Sequence, residues 1–495
     1  MKEDSWINMS LKEKMIKSYL WLGSTKLVGQ TFSWVVTIVL ARLLTPEDYG
    51  LVAMSAVLIS LFASINEFGL GSAVIQKSDV SDEEINTVFW FCLLGGIGFY
   101  LVLFLIAPWV SSFFDEQALL EIVRLLGFTL IISSLGIVPL NMLKKKVWFH
   151  KIAKCDLIAA VTAGICSLTL ALLGWGVWAL VWGTLTLTTI QCILYWYFFP
   201  WVGYGRISWI KSSNLIRFGA YVTGSRLLYY WNNSVDSFII GKLLGAQFLG
   251  YYSMAMQIAM IPVEKISALI NQINFPVYSE LKHNKEHSKH YLLRQTRFIS
   301  FLSFPVFGGL AAIAPYAVTM ILGAKWQPIT LPLQLLCILG LVRSIGVLIP
   351  PLLNALGEVK FTFACTLITT AVLPIAFLIG AKIYGLLGLV IALIVFYPLL
   401  YLPPYWKAFR LLNISSKEYF SCLRGPIMLS CSIFIIIKLL ENIFLSLGLK
   451  EDLPFFIVLL LLSGVISIGV IMVLFKNFIS DLKDIWASIG LKASK

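Results

Sequence analysis

The sequence predicts an all-α polytopic membrane protein of about 14 transmembrane helices: two six-helix lobes related by a parallel repeat, plus two C-terminal helices. Three observations carry that expectation. First, 59% of residues are apolar and 13% charged, with a mean hydropathy of +0.87. Soluble domains run nearer 45–50% apolar and about 25% charged, so this chain has too little polar surface to cover a water-soluble globule. Second, the apolar residues fall into runs long enough to cross a hydrocarbon core, which takes about 20 residues. Third, Lys and Arg collect on one side of these runs.

In chain order the runs are 18–41, 49–70, 85–110, 119–141, 155–173, 176–200, 214–241, 248–275, 297–322, 330–354, 361–382, 386–406, 425–448 and 453–475. The first follows the basic segment MKEDSWINMSLKEKMIK; it is long and lacks a small-residue cleavage site, so it reads as a span and not a removable signal peptide. One side of the membrane receives Lys77, the cluster Lys144, Lys145, Lys146, Lys151 and Lys154, and the clusters Arg206–Arg217, Lys282–Arg297 and Lys407–Arg424. The same side receives Lys2, Lys12, Lys14 and Lys17, then Lys360, and the tail's Lys476, Lys483, Lys492 and Lys495. The other side holds Arg42, Lys242, Lys325, Lys382 and Lys450, which makes 27 cations against 5. Positive loops stay in the cytoplasm, so both termini belong there. Residues 1–17 and 476–495 then read as cytoplasmic segments, 18–200 and 201–410 as the two lobes, and 411–475 as the added pair of spans.

The net charge of +13 is on this reading a topology signal, and nucleic acid is not an expected partner. The eight cysteines form no C-x-x-C pair and read as packing residues inside apolar runs. No G-x-x-x-x-G-K-[ST], H-E-x-x-H or G-x-S-x-G occurs, so neither catalytic residues nor a cofactor nor a metal is expected. His283, His287 and His290 sit in a lysine-rich stretch and read as a solvated cytoplasmic loop. The longest polar stretch, Tyr278–Arg297, is far too short for a soluble catalytic domain.

The segment ARLLTPEDYGLVAM (Ala41–Met54) aligns without gaps on GKLLGAQFLGYYSM (Gly241–Met254), with Leu43, Leu44, Gly50 and Met54 identical at an offset of 200. The same offset pairs Lys26 with Arg226, and GIVPLNML (Gly136–Leu143) resembles GVLIPPLLNAL (Gly346–Leu356) at a slightly larger one. Six spans separate the copies, so both insert in the same orientation. Repeats of this kind build transporters in which one half rocks against the other around a central site.

Charge inside a bilayer is costly, which makes each intramembrane ionisable residue a functional candidate. Lys26, Gln30, Ser33 and Thr37 lie on one face of the first span, and Arg226, Tyr230, Asn233 and Ser237 repeat that spacing in the seventh, with Asp236 beside them. The eighth span carries Glu264 and Lys265, the second Glu67, and the fourth and tenth Arg124 and Arg343. Lys438 reads as paired with Glu441 one turn away, and Arg42 and Lys242 as snorkelling from span ends. The remaining cations Lys26, Arg124, Arg226, Lys265 and Arg343 outnumber the anions Glu67, Asp236 and Glu264. Such a cavity suits an anionic ligand, phosphate above all. Lys26, Gln30, Arg226, Asn233, Lys265, Arg124 and Arg343 are therefore the candidate substrate-binding residues, and Glu67, Asp236 and Glu264 the candidates for ion coupling. Lys26 and Arg226 have a structural alternative, pairing with Glu67 or Asp236. An antiporter of cationic drugs would want the opposite charge balance. A multispanning polymerase or ligase would want a larger outward loop than turns such as Gly174–Gly176.

Several stretches resemble polysaccharide flippases of the WzxC and TuaB type, within the multidrug/oligosaccharidyl-lipid/polysaccharide (MOP) exporter superfamily. They are LARLLTPEDYGLVAM (Leu40–Met54), FGLGSAVIQ (Phe68–Gln76), RFGAYVTGS (Arg217–Ser225), INQINFPVYSEL (Ile270–Leu281) and LQLLCILGLVRSIG (Leu333–Gly346). The resemblance implies a two-lobed bundle that alternates between inward- and outward-open states in the bacterial cytoplasmic membrane. It also implies a lipid-linked oligosaccharide on an undecaprenyl diphosphate carrier as cargo, membrane lipids around a monomer, and a polymerase of the same pathway as partner. In related flippases, cations on the first and eighth spans meet the diphosphate, which points to Lys26 and Lys265.

Overall fold

The computed structural model of the protein describes residues 28–66, 81–200, 227, 230–281 and 284–446. Among these there is no β-strand. The first helices are α1 (Val28–Leu43), α2 (Pro46–Asn66), α3 (Asp82–Phe114), α4 (Leu119–Lys145), α5 (Phe149–Leu172) and α6 (Val177–Phe198). Then follow α7 (230–244), α8 (Ala246–Leu281), α9 (Lys285–Ala317), α10 (Thr330–Gly346), the short α11 (Ile349–Ala355), α12 (Val359–Leu412) and α13 (Ser416–Ser446). Every expected span from the first to the thirteenth meets one of these helices, the first, second, seventh and thirteenth in part. The fourteenth span and the two terminal segments lie outside the described residues.

The helix ends are set by local chemistry that apolar runs do not register. Before α2, the Thr45 hydroxyl accepts from the Asp48 N–H at 3.2 Å while the Asp48 carboxylate accepts from the Thr45 N–H at 2.8 Å, a reciprocal cap. Ser81 and Glu84 cap α3 in the same way. The basic stretch read above as a loop is mostly helical. Asn284 accepts from the His287 N–H at 3.1 Å to start α9, and His290 pairs with Glu286 at 3.1 Å one turn apart. The helix α12 runs for 54 residues but breaks at Tyr384 and Gly385, where Gly385 takes φ 59° and ψ −137°. Unbroken it would be about 80 Å long, well over twice a hydrocarbon core of about 30 Å. It therefore supplies both the eleventh and twelfth spans.

The chain divides into two compact units, with the boundary between Ser253 and Met254 inside α8. In the first unit, Leu103 and Ala107 of α3 pack on Val123 and Leu130 of α4, and Val36 and Leu40 of α1 pack against Ala171 of α5 and Ala179 of α6. In the second, Leu292 and Ile299 of α9 share a core with Leu352 of α11, Leu412 of α12 and Tyr419 of α13.

The two repeat copies meet within the first unit. A Cβ on Gly50 would stand 1.7 Å from the carbonyl oxygen of Ala246, and one on Gly250 would stand 1.8 Å from that of Pro46. Pro46 and Ala246 are themselves equivalent in the repeat, so the contact is reciprocal: each helix sets its glycine on the first turn of the other. Small residues one turn apart permit such backbone approach in a membrane. We expect Gly50→Ala and Gly250→Ala each to destabilise the folded chain by about 1–3 kcal/mol through overpacking. Gly98→Ala in α3, where an added Cβ meets nothing within 4 Å, should be neutral or stabilising. Thermal unfolding of the detergent-purified variants reads both outcomes.

Candidate transport site

Three of the sequence-derived site residues, Lys26, Arg226 and Glu67, lie outside the described residues. The others are placed individually. Gln30 is half-buried on α1, where the Thr37 hydroxyl turns back to the Ser33 carbonyl at 2.8 Å, so part of that polar face is satisfied within its own helix. Asn233 is exposed on α7. Glu264 and Lys265 are both exposed on α8.

Asp236 is the most enclosed of the candidate anions described, at 6% exposure. The Tyr252 hydroxyl, 1% exposed, donates to its Oδ2 at 2.6 Å, and the Ser237 N–H donates to Oδ1 at 2.7 Å. This ties α7 to α8 two residues beyond Gly250. At the first residue of α7, the Tyr230 hydroxyl donates to the Val57 carbonyl of α2.

The two internal arginines are each seated on an aromatic ring. Arg124 lies 4.2 Å from the centre of Phe104, and its Nε is buried without a hydrogen-bond partner. Arg343 lies 4.9 Å from the centre of Tyr397 and points Nη1 at the Met260 sulfur at 3.7 Å. Ring faces are a recurrent way to hold a desolvated cation. Lys438 pairs with Glu441 at 2.7 Å, as its spacing indicates.

Lys242 does more than snorkel. Its ammonium meets Asp115 at 2.9 Å, from the loop after α3. Next to it, Glu116 accepts the backbone N–H of Ala246, the first residue of α8, and so caps that helix from another part of the chain. Burial pushes the Glu116 carboxyl above its ordinary range, the nearby Glu47 adds to the shift, and the Ala246 N–H opposes it. Asp156 on α5 is a half-buried anion that the sequence reading passed over. It accepts from Gln191 Nε2 at 3.1 Å and from the Tyr195 hydroxyl at 2.8 Å. The signal was its place inside a helix, masked by Lys151 and Lys154 on the same turns.

Tyr252→Phe should leave the Asp236 carboxylate short of a donor and lower stability by about 1.5–3 kcal/mol, with little added effect once Asp236→Asn is present; a double-mutant cycle in thermal unfolding measures this. A carboxyl with a higher pKa folded than unfolded binds its proton more tightly in the folded chain. Stability should therefore rise as pH falls through the raised Glu116 value, with the gain complete below the ordinary carboxylate range. Glu116→Gln should flatten that part of the profile of melting temperature against pH.

Comparison with known proteins gives this arrangement a context. The profile of the polysaccharide biosynthesis protein family matches residues 39–331. The lipopolysaccharide biosynthesis protein WzxC of Escherichia coli (strain K12) is 25% identical over 425 residues, covering 85% of this chain and 86% of the relative. The teichuronic acid biosynthesis protein TuaB of Bacillus subtilis (strain 168) is 27% identical over 57% of this chain and 59% of its own. Among solved structures, a lipid II flippase MurJ in an inward closed conformation superposes with a TM-score of 0.72 at 12% identity, covering 93% of this chain and all of that one.

Proposed function

Because the chain belongs to the polysaccharide biosynthesis protein family, we propose that it is a flippase that moves lipid-linked oligosaccharide across the bacterial cytoplasmic membrane by alternating access. The cargo is an oligosaccharide repeat unit on undecaprenyl diphosphate, destined for an exopolysaccharide, O-antigen or teichuronic-type polymer. The observation that carries this reading is the family match on a multispan helical chain that has the MurJ fold and charged side chains within its spans.

The physical task is desolvation. A sugar-diphosphate head group entering hydrocarbon would lose its hydrogen bonds to water, at several kcal/mol per polar group. A polar cavity replaces those bonds while the polyprenyl tail stays in lipid. Lys26, Arg226, Lys265, Arg124 and Arg343 supply the positive charge, and Gln30 and Asn233 the neutral polar contacts. Asp236 and Glu264, with Glu67, are the carboxylates available to couple a proton or sodium gradient to the cycle. The chain acts as a monomer with both termini in the cytoplasm and hands its product to a polymerase.

Deleting the gene should trap lipid-linked sugar in the cytoplasmic leaflet, and restoring it should move that sugar outward. Accumulation in the outer leaflet of the deletion strain would place the chain at a later step. Lys26→Gln/Arg226→Gln should insert normally but export about ten- to hundredfold less, since each charge-assisted contact contributes about 1.5–3 kcal/mol. Cysteines placed at Lys146 or His287 should react only with reagents that cross the membrane.

A further inference from the structure

One cavity is lined by none of the described candidate transport residues and lies beside Asp156, whose donors Gln191 and Tyr195 are among its walls. It sits in the first unit among α2, α4 and α6 and holds about 330 Å³, inside the size range of small-molecule sites. Its polar walls are Asn66, Ser133, Asn141, Lys144, Thr188 and Gln191. Most of their donors are already engaged within the protein. Asn141 Nδ2 donates to the Ile137 carbonyl at 2.8 Å, and Gln191 Nε2 donates to Asp156 at 3.1 Å. The Ser133 and Thr188 hydroxyls donate to the carbonyls of Leu130 and Thr184 at 3.2 and 2.9 Å. A nitrogen facing a carbonyl or carboxylate fixes which end of the amide is left over, and it is the oxygen. Asn66 gives its nitrogen to Ser134 at 2.6 Å, and its Oδ1 is buried on the side of Gly95 in α3, so the acceptors left to the cavity are the Asn141 and Gln191 oxygens. The Lys144 ammonium has no ion pair or hydrogen bond among the described residues.

The cavity thus presents oxygens that accept and one ammonium that donates. The complementary ligand offers several hydroxyl donors and one negative group, which is the chemistry of a sugar ring bearing an acid.

The second half of the repeat shows the same place filled. Ser134 and Gly136 align with Ser344 and Gly346, and Gly176 aligns with Gly385, whose backbones share one unusual conformation: φ 54°, ψ −131° and φ 59°, ψ −137°. On that alignment Ser133 corresponds to Arg343 and Thr188 to Tyr397, the pair stacked at 4.9 Å. Where the second half stacks a cation on a ring, the first half keeps two short hydroxyl side chains and leaves the space open.

We propose that this cavity recognises one acidic sugar ring of the cargo, with Lys144 meeting the acid and the Asn141 and Gln191 oxygens accepting ring hydroxyls. The proposal rests on the transport reading above and adds a determinant of which glycan is carried. A hexuronate and a sugar phosphate share this chemistry.

The test is binding of free sugars to the purified full-length protein in lipid nanodiscs, followed by saturation-transfer NMR with glucuronate, glucose 1-phosphate and glucose as probes. At least one acidic sugar should bind about tenfold more tightly than glucose, the scale of one charge-assisted contact, and which one does so identifies the acid as carboxylate or phosphate. Lys144→Gln should remove the preference, Lys144→Arg should keep it, and Thr188→Tyr, which imports the side chain of the second half, should abolish binding. Thermal unfolding checks that the variants are folded. Equal binding of all three sugars, no saturable binding of either acid, or an unchanged preference in both Lys144→Gln and Thr188→Tyr overturns the proposal. A wild-type chain that moves lipid-linked sugar between leaflets yet shows any of these results overturns this site alone and leaves the transport reading standing.

Discussion

The reciprocal approach of α2 and α8 at Gly50 and Gly250 is the constraint on which the described part of the first unit depends. Helices in lipid gain no hydrophobic driving force from meeting one another, so close backbone contact must supply the attraction. The approach fixes the positions of three chain segments that are distant in sequence. It sets the end of α3 beside the turn between α7 and α8, where Asp115 reaches Lys242 and Glu116 caps α8. Phe113 stacks on Phe238 at 5.2 Å beneath that ion pair. The Asp236–Tyr252 bond follows from the same register, because Tyr252 is two residues past Gly250.

The two copies of the repeat solve one problem by different means. The first copy starts its helix with Thr45 and Asp48 capping each other. At the matching position the second has Gly245 at φ 87°, which frees the turn, and takes its cap from Glu116. The same divergence appears deeper in the bundle, where Arg343 over Tyr397 stands opposite Ser133 and Thr188 in the alignment. A duplicated frame has kept its backbone while its side chains have taken separate roles.

How much of this was legible in the sequence follows from the range of each interaction. The spans were readable because a membrane helix is specified by about 20 consecutive residues. The break at Gly385 was readable as the gap between two runs, and the repeat as identities at Gly50 and Met54. The helical extension into the basic stretch before residue 297 was not, since it depends on the Asn284 cap and one His–Glu pair. Lys242 looked like a snorkelling span end because its partner lies 127 residues earlier. Asp156 went unremarked beside Lys151 and Lys154, and its role as acceptor for two α6 side chains becomes visible only when α5 and α6 are packed together.

The glycine contact also bears on how the chain is made. Gly50 leaves the ribosome 200 residues before Gly250. At about 5–20 residues per second, synthesis of the intervening segment takes roughly 10–40 s. During that time the first turn of α2 has no α8 to pack against, although the helices from α3 to α6 have already been made. The early spans must therefore persist in the bilayer as an incomplete bundle with a glycine groove open to lipid. Quality control in the membrane has that interval in which to bind or discard a nascent chain, and a slowed ribosome anywhere between codons 50 and 250 lengthens it.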